Sequence, residues 1–247
     1  MSVKEMHYDF LLKYDKVASN QRRNYTPVEI DWFLNEAQNV FKKQRLFGNN
    51  SKQTGFEETQ KRIDDLAVFH VKYPAQPKST VIKHDDVDGI KLYELRLNSL
   101  KYEYEYFIKG FVTVLKNNCK IKAKMILIQN DDFEENIKSA FGLDEENVFI
   151  NFGKSTQDNG LNDLKSIYIY SKYDIDESSV MIEYIKSHVR INYEPYVYLD
   201  NLSYPATDSQ FAKTTHTEIV DIAVMLATGI TDNPQYNVAK EKLLVNE

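Results

Sequence analysis

Residues 26–48, TPVEIDWFLNEAQNVFKKQRLFG, carry the local marks of a helix from end to end. Thr26 is a side-chain cap, Pro27 suits the first turn, and Glu29 stands three residues after Thr26, as a capping box requires. Ile30, Phe33, Leu34, Ala37, Val40 and Phe41 recur at helical spacing and make one apolar stripe. Glu29 and Asp31 lie near the positive end of the helix dipole, Lys42, Lys43 and Arg45 near the negative end, and Gly48 can stop the helix. The capping pattern then recurs in Ser2-Val3-Lys4-Glu5, Thr54-Gly55-Phe56-Glu57 and Thr215-His216-Thr217-Glu218. A single match is weak. Four matches, each heading a periodic apolar stretch and each worth about 1 kcal/mol, predict a helical bundle.

Working outward, a first helix is expected over residues 2–18, with Val3, Met6, Phe10, Tyr14 and Val17 on one stripe. A third follows the Thr54 cap and turns Phe56, Ile63, Leu66 and Ala67 inward. Short loops between the three make them antiparallel neighbours. Near residue 70 the period changes to two, and strands are expected at 68–71, 91–97, 147–152, 165–172 and 180–191. The last two are expected to pair across a turn at 174–178. The clearest hairpin joins 102–115 to 119–129 through Asn117-Asn118, because asparagine tolerates the positive φ of a tight turn. That turn sets Val114 opposite Ile121, Val112 opposite Ala123 and Ile108 opposite Leu127, and puts Lys120, Lys122 and Lys124 on the other face. A short helix is read at 131–141. Pro195 and Pro205 break the β region, and a last helix from Thr215 carries Ile219, Ile222, Ala223, Leu226 and Ile230, interrupted at Gly229. The fold class expected is α+β: a discontinuous helical bundle, residues 1–70 and 205–247, with a β-rich insertion over 71–204.

Composition narrows the function classes. Hydrophobic residues make up 42% and charged residues 28% of the 247, a globular balance. No apolar run approaches the length of a membrane span, so no membrane association is expected, and the N-terminus does not read as a signal peptide. A lone Cys119 leaves no disulfide framework or cysteine zinc site. The net charge of −6 argues against a dedicated nucleic-acid binder, while 17 Tyr and 13 Phe offer aromatic surface for protein contact.

Catalytic motifs fail on inspection. Gly153-Lys154-Ser155-Thr156 ends like a phosphate loop but has Val148 where the first glycine belongs. His84-Asp85-Asp86-Val87-Asp88-Gly89 starts like a calcium loop, but its first and twelfth ligands would be His84 and Leu95. The five histidines show no metal-binding pairing, so no catalytic residue, metal or cofactor is expected. The three lysines could touch nucleic-acid phosphates; a lysine-guarded sheet edge is the favoured reading. Trp32 lies off its helix's apolar stripe, and Trp32, Tyr8 and Tyr25 are the candidate subunit-interface residues. Beyond Asp232 the chain is polar, with Asn233, Pro234, Tyr236, Leu243 and Leu244 as docking anchors.

Two segments resemble a known family. Residues 30–38, IDWFLNEAQ, followed by 55–66, GFEETQKRIDDL, are similar to the start of structural proteins of crAss-like and related tailed bacteriophages. Residues 182–186, Tyr204-Pro205 and residues 218–224 are similar to the same proteins. The resemblance covers about half the chain, at its two ends, and implies a head-to-tail connector ring (adaptor) subunit of the virion neck or tail. It implies four partners: a portal protein, an adjacent tail ring protein, copies of the chain in a cyclic ring (a dodecamer in related phages), and packaged DNA passing non-specifically. The residues after Asp232 would order against the portal. The alternatives are another virion tail or neck component, or an enzyme of unrecognised chemistry.

Overall fold

Two of the four capping boxes close as the spacing requires. Ser2 N–H donates to Glu5 Oε2 at 2.7 Å and Glu5 N–H to Ser2 Oγ at 3.4 Å, starting α1 (Val3–Val17). Thr26 and Glu29 repeat the exchange at 2.9 and 3.4 Å and start α2 (Pro27–Phe47). The computed structural model describes residues 1–17, 25–47, 60–74, 81–84, 86, 89–117, 119–129, 131–132, 135, 143–154, 165–194, 196–197 and 203–230. The Thr54 box, Gly48, most of the helix expected at 131–141 and the segment after Asp232 lie outside these residues; α3 is described over Gln60–Leu66. The fourth box does not form. Ile219 N–H donates to Thr215 O at 3.0 Å, so Thr215 does head α4 (His216–Ile230). Its hydroxyl, however, donates to Ala212 O at 2.9 Å, and Glu218 accepts from Lys61 at 2.7 Å and from Arg45. Charged donors outcompete the backbone N–H for that carboxylate.

The chain divides into two compact units, Met1–Val68 with His188–Glu247, and Phe69–Ser187. In the first, α4 runs through Gly229 without the expected interruption. It buries Ile219, Val220, Ile222, Ala223, Val224 and Ala227, more than one face of a helix. Val3, Met6, Phe10 and Tyr14 of α1 and Ile30, Phe33, Leu34, Ala37 and Phe41 of α2 are also buried. Tyr25 sits 5.0 Å from Tyr14 and 5.2 Å from Phe33, ring centre to ring centre, and donates to Ala227 O at 3.3 Å. The unit also holds the paired strands β9 (Tyr196–Val197) and β10 (Ser203–Tyr204).

The second unit is one sheet of β1 (His70–Pro74), β2 (Val81–Lys83), β3 (Lys91–Arg96), β4 (Tyr104–Lys116), β5 (Cys119–Leu127), β6 (Asn147–Lys154), β7 (Lys165–Ser171) and β8 (Asp174–Lys186). The strand order is β1-β8-β4-β5-β6-β7-β3-β2, curled into a half-barrel. Only β5 and β6 pair in parallel among these strands. The β4–β5 hairpin turns at Asn117, φ 47°, and sets Val114 opposite Ile121 and Val112 opposite Ala123. Its described pairing ends at Gly110 opposite Met125, short of the expected Ile108–Leu127 pair.

These findings correct the expected fold class. Strands dominate, and the eight-stranded sheet is the largest element rather than an appendage of a helical bundle. Capping boxes mark where helices begin; they say nothing of how much of the chain a sheet takes. This sheet builds its own core, from Tyr93, Leu95, Val112, Val114, Ala123, Val148, Ile150, Ile167, Ile169, Ile182 and Tyr184, all at most 1% exposed.

The expected β7–β8 hairpin is also absent. Only Lys172 and Tyr173 join these strands, yet β4, β5 and β6 separate them in the sheet, and Asp174 opens β8 instead of a turn. Curling makes the short link possible by bringing the start of β8 to β3. Tyr93 Oη donates to Asp174 Oδ1 at 3.2 Å and accepts from Ile175 N–H at 3.3 Å. Lys83 and Lys91 approach the same carboxylate at 2.9 and 3.0 Å and hold its pKa down at about 2.

Candidate protein-contact surface

The exposed side of α1 carries three large apolar residues among its charged ones. Tyr8, Leu11 and Leu12, one helical face by spacing, are 67%, 40% and 44% exposed. On α2, Val28 and Trp32 stand one turn apart at 44% and 55% exposure. Tyr8 and Trp32 each follow directly a member of the His7–Asp31 pair, which ties the two helices at 2.7 Å. Beside α1 lies an open depression of about 640 Å³, lined by Met1, Lys4, Tyr8, Leu12, Lys13 and Thr217 among others. Lys13 on its rim bonds Asp9 at 2.9 Å and Asp221 at 2.7 Å. Exposed apolar groups in a polar rim have the composition of a protein-contact patch.

Beside its buried apolar stripe α2 buries a second, polar row, which the apolar stripe did not foretell. Asp31, Gln38, Lys42 and Arg45 are at most 3% exposed, and with Asn35 they follow each other at steps of four, three, four and three residues. That is a heptad-like stripe. Each member has a partner. Asp31 Oδ2 accepts from Tyr193 N–H at 2.8 Å, and the Tyr193 ring stacks on His7 at 4.6 Å. Asn35 accepts from Ile191 N–H at 2.8 Å and donates to Ile191 O at 3.0 Å, as a neighbouring strand would. Gln38 accepts from Ser209 Oγ at 3.2 Å. Arg45 binds Asp65 at 3.1 Å as well as Glu218, joining α3 and α4 to α2, and burial raises the Asp65 pKa despite the guanidinium. The terminal dipole roles expected of Asp31, Lys42 and Arg45 thus give way to tertiary bonds.

Lys42 Nζ donates to His188 Nδ1 at 2.8 Å. Burial, with Lys42 and Arg190 adding repulsion, lowers the His188 pKa to about 4 from 6.5. A lowered pKa means the unfolded chain takes up the proton first. The contribution of His188 is therefore whole above pH 6.5 and is lost as pH falls toward 4, by roughly 3 kcal/mol at most. Urea unfolding at pH 7.5 and 4.5 should show His188→Gln losing less stability than wild type across that interval. Equal losses would refute the assignment.

The second unit contains one buried polar group that invites a catalytic reading. Glu94, 0% exposed, receives Ser166 Oγ at 2.7 Å on one oxygen and His84 Nε2 at 2.9 Å on the other. The carboxylate sits between serine and imidazole, so Ser166 does not meet the base that would activate it. Gly153 and Lys154 of the fragment that only ends like a phosphate loop are paired β6 residues. Among the described residues no cluster of His, Cys, Asp and Glu is arranged to hold a metal ion, and no helix is long and apolar enough to cross a membrane.

Of the interface residues expected from the sequence, Tyr8 and Trp32 are exposed. Tyr25 is not: at 9% exposure, bonded to Ala227, it is a core residue and is withdrawn. Asn233, Pro234, Tyr236, Leu243 and Leu244 lie outside the described residues. Leu11, Leu12 and Val28 were missed, although each lies off its helix's buried stripe and could have been read as Trp32 was. No protein-family model matches the chain, and no curated protein matches it.

Proposed function

We propose that this chain is a non-enzymatic structural subunit that works by protein–protein contact through the exposed side chains of α1 and α2. The observation that carries the reading is the set of five exposed apolar residues, Tyr8, Leu11, Leu12, Val28 and Trp32, on two helices tied to each other by the buried His7–Asp31 pair. Together they present on the order of a few hundred Å², enough for the dry centre of an interface near 800 Å² per partner. The sequence resemblance extends the reading to a head-to-tail connector ring of a crAss-like tailed phage. In that role the subunit docks on the portal, meets a tail ring below, and surrounds passing DNA. Head-to-tail contacts around a closed ring require two different lateral faces, and the α1–α2 side chains supply one. Co-expression with the portal protein of the encoding phage tests this. Portal rings decorated by this chain in multiple copies are expected; bare portal rings would count against it.

A further inference from the structure

The depression beside α1 has α4 as its other wall. The two helices lie side by side and run the same way. Thr217 Oγ1 donates to Met1 Sδ at 4.0 Å near their starts, and Lys13 reaches Asp221 at 2.7 Å further on. Tyr25 links the Tyr14 ring to Ala227 O near their ends. From α1 the groove receives Lys4, Tyr8 and Leu12. The accessible side of α4 runs along Thr217, Asp221, Met225 and Gly229, at steps of four: Thr217 and Gly229 are exposed, Asp221 and Met225 half-buried. Small residues at both ends of that row let another helix approach closely.

The chain leaves α4 at Ile230, at the far end from Thr217 and Met1. Residues 231–247, TDNPQYNVAKEKLLVNE, lie outside the described residues, but their sequence has the pattern of a short amphipathic helix. Asn233 is of a capping type, Pro234 suits a first turn, and Tyr236, Ala239, Leu243 and Leu244 stand at i, i+3, i+7 and i+8. A helix over 234–247 would be about 21 Å long, and α4, of 15 residues, is about 22 Å. With 231–233 as the turn, such a helix would run back antiparallel along the whole of α4. That direction sets Leu243 toward Tyr8, Ala239 toward Leu12, and Glu247 at the end where Lys4 stands exposed.

We propose that residues 231–247 fill this groove in the free subunit, in the same chain, and cover Tyr8 and Leu12 of α1. A helix of this length is marginal alone in water, so it holds only while docked and leaves without unfolding the bundle. The proposal goes beyond the protein-contact reading and does not rest on it. A neighbour that uses Tyr8 must first displace the segment, so the contact holds back association of free subunits.

Thiol labelling of the full chain tests the seat. In a Cys119→Ser background, Leu12→Cys puts a single thiol in the groove; Leu12 is half-exposed, so the core stays intact. Its reaction with a disulfide reagent (DTNB) is followed with and without Tyr236→Ser and Leu243→Glu. The two tail substitutions should speed the reaction about tenfold or more. Protection should persist over about a hundredfold dilution, because the segment is tethered to its own groove. Equal rates in the two chains would overturn the proposal. Protection lost on dilution would also overturn it, assigning the groove to a second copy. So would a melting temperature lowered more than about 5 °C by the tail substitutions, which would make the segment core instead of a releasable cover.

Discussion

Replacing Asp31 with alanine lowers the unfolding free energy by about 3–5 kcal/mol, the largest effect expected of any single polar substitution here. Asp31 is fully buried and serves two donors, His7 at 2.7 Å and the Tyr193 N–H at 2.8 Å. Its loss strands both donors away from water, and an unmet buried donor costs more than the bond contributed. It also frees three pieces of chain at once, because α1, α2 and the segment around Tyr193 meet at this side chain. Asp31→Asn keeps an acceptor and should lose roughly half as much. Urea denaturation followed by circular dichroism gives the values. A loss under about 1 kcal/mol for Asp31→Ala would mean that the contact is dispensable.

The second large effect is on assembly instead of stability. Tyr8→Ser with Trp32→Ala removes two large aromatics of the helical unit that are 67% and 55% exposed. If these anchor a neighbour, each is worth about 2 kcal/mol or more, roughly thirtyfold in affinity, and the pair together should abolish lateral association. Neither ring contributes buried core, so the melting temperature should stay within about 2 °C of wild type. Rings that form normally from the double variant would show that lateral contact lies elsewhere.

What could be read from the sequence was local. The Ser2 and Thr26 boxes, the Asn117 turn and the Val112–Ala123 register follow from rules that span a few residues, and all are present. The β7–β8 pairing failed because adjacency in the chain was taken for adjacency in the sheet. A two-residue link is normally a hairpin, and only curling lets it join strands that three others separate. The Thr215 box failed for a related reason: Glu218 is claimed by Arg45, 173 residues away in sequence. The stripe from Asp31 to Arg45 was visible as spacing, but its polar residues read as a solvated face, since nothing local shows that residues 191–193 lie against it. Tyr25 resembled Tyr8 as an aromatic near a helix end. Its burial depends on Phe10, Tyr14, Phe33 and Ala227, which no local pattern brings together. Trp32 and Tyr8 were legible because an apolar residue off the inward stripe is anomalous within its own helix.

The central claim is that the chain works as one of several identical neighbours in a ring. Symmetry-resolved electron microscopy of the neck of assembled particles tests it most directly. The account predicts a closed ring of copies below the portal, with Tyr8 or Trp32 of each subunit covered by the next. Absence of the chain from the neck, or its presence as one copy without lateral partners, would contradict it.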